Sequence, residues 1–219
     1  MPIVLESFVV ESPEHAKPFT IDLVEGLDDA HASFIEGQWK PILERQRNLA
    51  VLNFFQLPES EQTDTAWIEM RGTFACQDAH WDWPLKCAIA PGANRKVLAL
   101  LNAVEVEAAM VLHLGKASPD TGLPIVYVDY LAVAPWNRDA VQSPQRFRGL
   151  GTVLIGAAVR TSMSLGYDGR CGLHSLPQSE GFYRRIGMGD LGVNGRSSPL
   201  RYFEFSAASA EQFVKKGEL

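Results

Sequence analysis

Gln145-Arg146-Phe147-Arg148-Gly149-Leu150-Gly151-Thr152-Val153-Leu154-Ile155 sets arginines and two closely spaced glycines where an apolar, helix-like run begins. The first turn of a helix leaves backbone N–H groups unpaired and carries a partial positive charge, so it attracts a pyrophosphate. Glycine lets the backbone approach phosphate closely, and arginine pairs with it. Such a loop alone is a weak signal. Here it follows the strand-like run Ile125 to Ala134 and precedes the pair Phe182-Tyr183. That order decides the reading.

Working outward, Ile125 to Ala134 reads as a strand buried on both faces and stopped by Pro135. Val97 to Ala103 and Val106 to Leu114 read as antiparallel strands turned near Glu105, with Gly115 to Leu123 a loop. Thr152 to Leu165 is a predicted helix capped by Gly166, Arg170 to His174 a short strand, and Gln178 to Ile186 a helix ended by Gly187. Leu200 to Phe205 is the last predicted strand. Towards the N-terminus, Ile3 to Val10 alternates as an edge strand, and Leu27 to Gln46 is helical with an interruption near Pro41. Leu57 to Glu61 is a turn, Thr65 to Phe74 a short helix, and Leu85 to Ala90 a strand candidate. Strands, helix, strand, helix, strand predict a mixed α/β sheet in one layer with helices against it.

The chain has 219 residues, enough for one good core, and its 46% apolar and 21% charged residues suit a soluble globular protein. No apolar run reaches the ~18 residues that a spanning helix needs. The start, Met1-Pro2-Ile3-Val4-Leu5-Glu6, lacks the basic and apolar regions of a secretion signal. Three cysteines make no disulfide framework, and the expected location is cytoplasmic. Residues 1–80 hold 14 Asp/Glu against 5 Lys/Arg, so the net −6 divides into −9 there and +3 beyond. An acidic first part disfavours nucleic acid and favours a cationic partner, while the basic remainder suits an anionic cofactor.

Three stretches carry a resemblance: Leu131-Ala132-Val133-Ala134-Pro135, the Arg146-x-x-Gly149-x-Gly151 loop, and Phe182-Tyr183-Arg184-Arg185-Ile186-Gly187-Met188. In this order they resemble the GCN5-related N-acetyltransferase (GNAT) superfamily over residues 97 to 205. The family pieces are a strand ending Leu-x-Val-x-Pro, a Gln/Arg-x-x-Gly-x-Gly/Ala loop and a helix ending Phe-Tyr-x-x-x-Gly-Phe/Met. Two features depart from that pattern. Trp136 to Gln145 is an insertion of about eight residues between proline and loop, and the asparagine that contacts the cofactor in many members is missing, with Ser175 or Ser179 as replacements. The glycines place the loop arginine at Arg146 rather than Arg138, leaving Trp136-Asn137-Arg138 to line an acceptor cleft.

The resemblance implies a single domain, 1–219, with residues 1–80 as a variable acceptor-side cap and a mostly antiparallel sheet whose central strands splay. It implies acetyl-coenzyme A as donor, no metal, and a primary amine as acceptor, a cationic small molecule or a peptide; a homodimer is compatible with it. The donor's arm would lie along Leu131, Ala132 and Val133, one backbone N–H stabilising the oxyanion. Its pyrophosphate would rest on Arg146, Phe147, Arg148, Gly149, Leu150, Gly151 and Thr152.

Direct attack needs a base for the amine and an acid for the leaving thiolate. Tyr183 is the candidate acid, its bland alternative a core aromatic. Asp129 is the candidate base: the only charge in an apolar strand, with period-two spacing placing it on the face of Leu131 and Val133. A structural aspartate paired with an arginine is the alternative. Glu105 and Glu107 are lesser candidates, expected to be solvated. Cys171-x-x-His174 has no second pair at zinc spacing, so strand alternation explains it better. Trp39, Trp67, Trp81 and Trp83 frame a cation pocket or, more commonly, belong to the core. A protein that keeps the acyl-coenzyme A groove without catalysis is the rival reading, and Tyr183 argues against it.

Overall fold

The computed structural model describes residues 1–13, 15–89, 94–193 and 199–216. Their strands are β1 Ile3–Ser12, β2 His15–Glu25, β3 Arg95–Asn102, β4 Glu105–Ala117, β5 Pro124–Val133, β6 Cys171–Ser175, β7 Gly189–Val193 and β8 Arg201–Phe205. They form one eight-stranded sheet ordered β1-β2-β3-β4-β5-β6-β8-β7. Every neighbouring pair is antiparallel except β5 and β6. The parallel pair is the one joined through a long crossover, as a parallel connection requires.

The helices are α1 Asp29–Phe34, α2 Lys40–Phe54, α3 Asp64–Thr73, α4 Trp83–Ile89, α5 Leu150–Ser164, α6 Glu180–Arg185 and α7 Ala207–Lys215. A π-helical turn, Ile35–Trp39, joins α1 to α2, with Pro41 in the first turn of α2. Proline has no N–H to give the preceding turn, which is the interruption expected near Pro41. The sheet separates two apolar layers. On one side Leu150, Leu154, Ile155 and Ala158 of α5, with Tyr183 and Phe213, pack on Val126, Val128 and Leu173. On the other, Ile35, Trp39, Leu43, Cys76 and Trp83 pack on Ala99, Ala109, Val111 and Ala132. Apolar residues on both faces of β4 and β5 account for their near-continuous hydrophobic runs.

The mixed, mostly antiparallel sheet flanked by helices is the expected fold class. Residues 1–80 contribute β1 and β2 to that sheet as well as α1–α3. Some expectations are corrected. Leu85 is in helix α4, not a strand: Asp82 Oδ1 accepts from Leu85 N at 2.8 Å, capping a turn whose apolar run is too short for periodicity to resolve. Ala90 lies outside the described residues. Strands β2 and β7 and helix α7 have no counterpart in the sequence reading.

Asp129 is also corrected. In the β4–β5 ladder Leu112 faces Val128 while Val111 faces Tyr130, so Asp129 is the extra residue of a bulge. Val128, Leu131 and Val133 pack on the α5 side, whereas Tyr130 and Ala132 pack on the α1–α4 side. The bulge therefore breaks the two-residue alternation, and Asp129 falls on the face opposite Leu131 and Val133. There its Oδ2 lies 3.7 Å from Arg95 Nη2.

Candidate active site

β5 and β6 pair only through Val126–Cys171 and Tyr127–Gly172. Beyond them β6 stays with β8, through Leu173–Phe203 and Ser175–Arg201, and β5 stays with β4. The two parallel strands thus part like a V, leaving the β5 edge from Val128 to Val133 without a ladder partner from β6. A cleft of about 630 Å3 occupies this opening, with Leu131, Ala132 and Val133 along one wall and Leu176, Ser179, Phe182 and Tyr183 along the other.

The first turn of α5 forms the end of the cleft. Gly149 takes the left-handed conformation, φ 78°, and no side chain caps the helix. The N–H groups of Leu150, Gly151 and Thr152 precede the first intrahelical bond, from Val153 N to Gly149 O at 3.0 Å, and remain available to a ligand. Gly151 has a different reason to be glycine: a Cβ there would lie 3.2 Å from Phe182 Cζ. One glycine serves backbone conformation and the other lets α6 close in. Phe147, Arg148, Gly149, Leu150, Gly151 and Thr152 all line the cleft.

Arg146 does not. Its Nη1 is 2.6 Å from Glu105 Oε2 and 2.9 Å from Glu107 Oε1, and the cleft lining passes it by. Glu107, expected to be solvated, is completely buried at a β4 bulge where Leu100 faces Ala108 and Leu101 faces Val106. Trp136 Nε1 and Asn137 Nδ2 each donate to Glu107 Oε2 at 2.7 Å, and Phe147 N donates to Asn137 Oδ1 at 2.9 Å. Burial pushes the Glu107 carboxyl up, while these donors and Arg146 pull it back down. The insertion after Pro135 therefore folds onto a buried carboxylate, and Arg146 is part of that anchor. The cleft arginines without an ion pair among the described residues are Arg148 and Arg185, both exposed.

Tyr183 is buried, 5% exposed, with its ring 5.1 Å from Phe182 and 5.7 Å from Phe203. Its hydroxyl has no hydrogen-bond partner among the described residues, and burial pushes the phenol well above its ordinary range. Ser179 lines the cleft, while the Ser175 hydroxyl donates to Leu176 O at 2.8 Å. Among the described residues no group of three His, Cys, Asp or Glu is placed to hold a metal.

Arg138 lines the cleft as well, but all its donors are used. Nε and Nη2 donate to Val133 O at 3.0 and 2.9 Å, Nη1 to Ala75 O at 2.8 Å, and Nη1 and Nη2 to the Asp78 carboxylate at 2.7 Å each. Five N–H groups make five bonds, so this guanidinium positions backbone rather than holding phosphate. Asp78, like Gln178 and Arg185, escaped the sequence reading: its partner is 60 residues away, and no local pattern marks it. Trp39 and Trp83 are core, and Trp67 packs on Phe54. Trp81 stands beside Tyr130, 5.1 Å between centroids, with Lys86 Nζ 3.6 Å from the Tyr130 ring centre. None of the four lines the cleft.

No protein-family profile and no curated protein sequence matches the chain. Solved structures do. The chain is similar to the PaiA N-acetyltransferase of Thermoplasma acidophilum in complex with coenzyme A, at 10% identity and TM-score 0.48 over 84% of this chain and 97% of that one. A Desulfovibrio desulfuricans protein provisionally assigned to GNAT acetyltransferases is similar at 11% identity and TM-score 0.46, over 85% and 99%. The KacTA–DNA complex matches at 18% identity and TM-score 0.44, over 68% and 86%.

Proposed function

We propose that the chain is an N-acetyltransferase that moves an acetyl group from acetyl-coenzyme A to a primary amine by direct attack. One observation carries this reading. The β5 edge beyond Tyr127, the N–H groups opening α5, Arg148, Arg185 and the Tyr183 phenol face one cleft, and among the described residues none of these side chains has an ion-pair or hydrogen-bond partner. These groups fit a long, amide-bearing arm ending in phosphates. The β5 edge offers backbone hydrogen bonds to the amides, and the α5 first turn with Arg148 and Arg185 offers charge and donors to the phosphates.

The amine nitrogen attacks the thioester carbonyl carbon, and a β5 backbone N–H stabilises the oxygen as charge develops on it. The carbon–sulfur bond then breaks, its electron pair leaving on sulfur. Tyr183 gives that sulfur a proton, and the amine's surplus proton passes through water to a base. Asp129 is our candidate for this last role, reached only through water because its Oδ2 lies on the far face of β5, 3.7 Å from Arg95 Nη2. Asp78 does not, since Arg138 holds both its oxygens.

Coenzyme A release across a panel of amines, run beside calorimetry with coenzyme A, tests the reading. Binding without release to any amine would reduce the protein to a binding module, and no binding would end the proposal. The arginines make a sharper prediction. A charge-assisted hydrogen bond contributes about 1.5–3 kcal/mol, so Arg148→Ala and Arg185→Ala should each weaken donor binding about tenfold or more. Arg146→Ala should leave donor affinity within about twofold and lower stability instead, because it strips a cation from buried Glu107. Equal loss of donor affinity in all three variants would contradict this division of labour.

A further inference from the structure

Residues 72–78 cross from one arm of the V to the other. Gln77 N donates to Gln178 Oε1 at 3.1 Å, and Gln178 N donates to Gln77 Oε1 at 3.0 Å. Two backbones 101 residues apart are thus closed by a reciprocal pair of side-chain amides. The Gln77 amide is fixed from behind, where Nε2 donates to Ile68 O at 2.8 Å. At the neighbouring position Asp78 binds Arg138, which grips Val133 O at the end of β5. The chain of bonds from Val133 through Arg138, Asp78 and Gln77 to Gln178 therefore straps β5 to the turn before α6, Pro177–Ser179.

The strap is on a definite side of the sheet. Cys76 and Ala79 pack in the α1–α4 layer, whereas the first turn of α5 and Tyr183 belong to the opposite layer. A donor seated on α5 covers the cleft from its own side, so an acceptor reaching the thioester carbon comes from the strap side. The strap offers small groups there: Gly72 and Ala75 line the cleft with Asp78 and Gln178. A Cβ on Gly72 would already stand 3.4 Å from Gln77 Nε2 and 3.9 Å from Gln178 Cβ.

Resting on the transferase reading, we infer that the Gln77–Gln178 clasp determines acceptor specificity, admitting a slender, unbranched primary alkylamine, free or as a lysine-type arm, and refusing multi-ring amines. Gly72 and Ala75 set the width of the gap, and the clasp prevents the two arms from spreading to widen it.

The test compares n-butylamine, sec-butylamine and kanamycin as acceptors for the full-length chain, with kcat/KM for each and KM for acetyl-coenzyme A. Gln77→Ala combined with Gln178→Ala should raise the kanamycin-to-butylamine ratio of kcat/KM at least tenfold, with donor KM within twofold. A weakened fold alone would lower both acceptors together and leave the ratio unmoved, which overturns the inference. Gly72→Ala, which keeps the clasp and narrows the gap, provides the second arm. It should raise KM for sec-butylamine at least fivefold over the change for n-butylamine, and equal changes overturn the inference. Absence of release with every amine from the wild-type chain removes the transferase reading itself; release with unmoved ratios overturns the clasp alone.

Discussion

Tyr183→Phe should lower turnover by about a hundredfold or more, within the 10²–10⁴ range of a general acid, and leave coenzyme A affinity unchanged. The substitution removes one oxygen and keeps the ring against Phe182 and Phe203, so packing has little reason to change. Among the described residues the lost hydroxyl has no hydrogen-bond partner to leave stranded. What disappears is the proton available to the departing sulfur. Rapid-mixing measurement of coenzyme A release, paired with calorimetry, separates the two quantities. A fall below threefold would make Tyr183 a core aromatic only. Burial raises the phenol above its unfolded value of about 10, so the donor form persists past pH 10. Turnover should therefore show no alkaline loss from this group between pH 7 and 10. The sign for stability follows: the buried neutral phenol contributes fully below its unfolded value, and that contribution is lost as pH rises through the folded one.

Asp78→Ala should destabilise the fold by about 3–5 kcal/mol, the usual result of removing one partner from a buried ion pair. Asp78 and Arg138 expose only 4% and 9% of their side chains, so water cannot replace the lost carboxylate. The orphaned guanidinium would still hold Val133 O and Ala75 O but would carry an uncompensated charge. For a chain of this length that corresponds to a fall of about 10 °C in Tm, read by calorimetry. The exposed pair Lys215–Glu211 supplies the control, and breaking it should have no measurable effect. Arg138→Lys should fail to rescue, because one ammonium cannot reproduce five donors in a fixed fork. A loss no larger for Asp78→Ala than for the control would show the strap to be ornamental.

Some of this was legible without coordinates. The runs of Val97 to Ala103, Val106 to Leu114 and Ile125 to Ala134 coincide with β3, β4 and β5, save for Ala103 and Ala134 just past the strand ends, because β-branched and apolar residues persist on both faces. Gly149 and Gly151 marked the start of α5, since left-handed backbone and close approach both leave glycine as their trace in sequence. At Asp129 the two-residue alternation breaks because a bulge adds one residue to one strand, and no residue type announces it. Helix α4 is not legible in sequence, because seven residues are too few to distinguish the helical period from the strand period.

The sequence by itself determined the order of elements from β3 to α6, the glycine turn before α5 and the candidacy of Tyr183, all encoded by residues close together in the chain. Only the tertiary structure decided which arginines face the cleft. Arg146 and Arg148 are two positions apart, yet one anchors on Glu105 and Glu107 from β4 while the other has no ion pair among the described residues. The strap is equally non-local, its bonds joining positions 60 and 101 residues apart. Charge pairing depends on distance in space, and the fold alone sets that distance for residues remote in sequence.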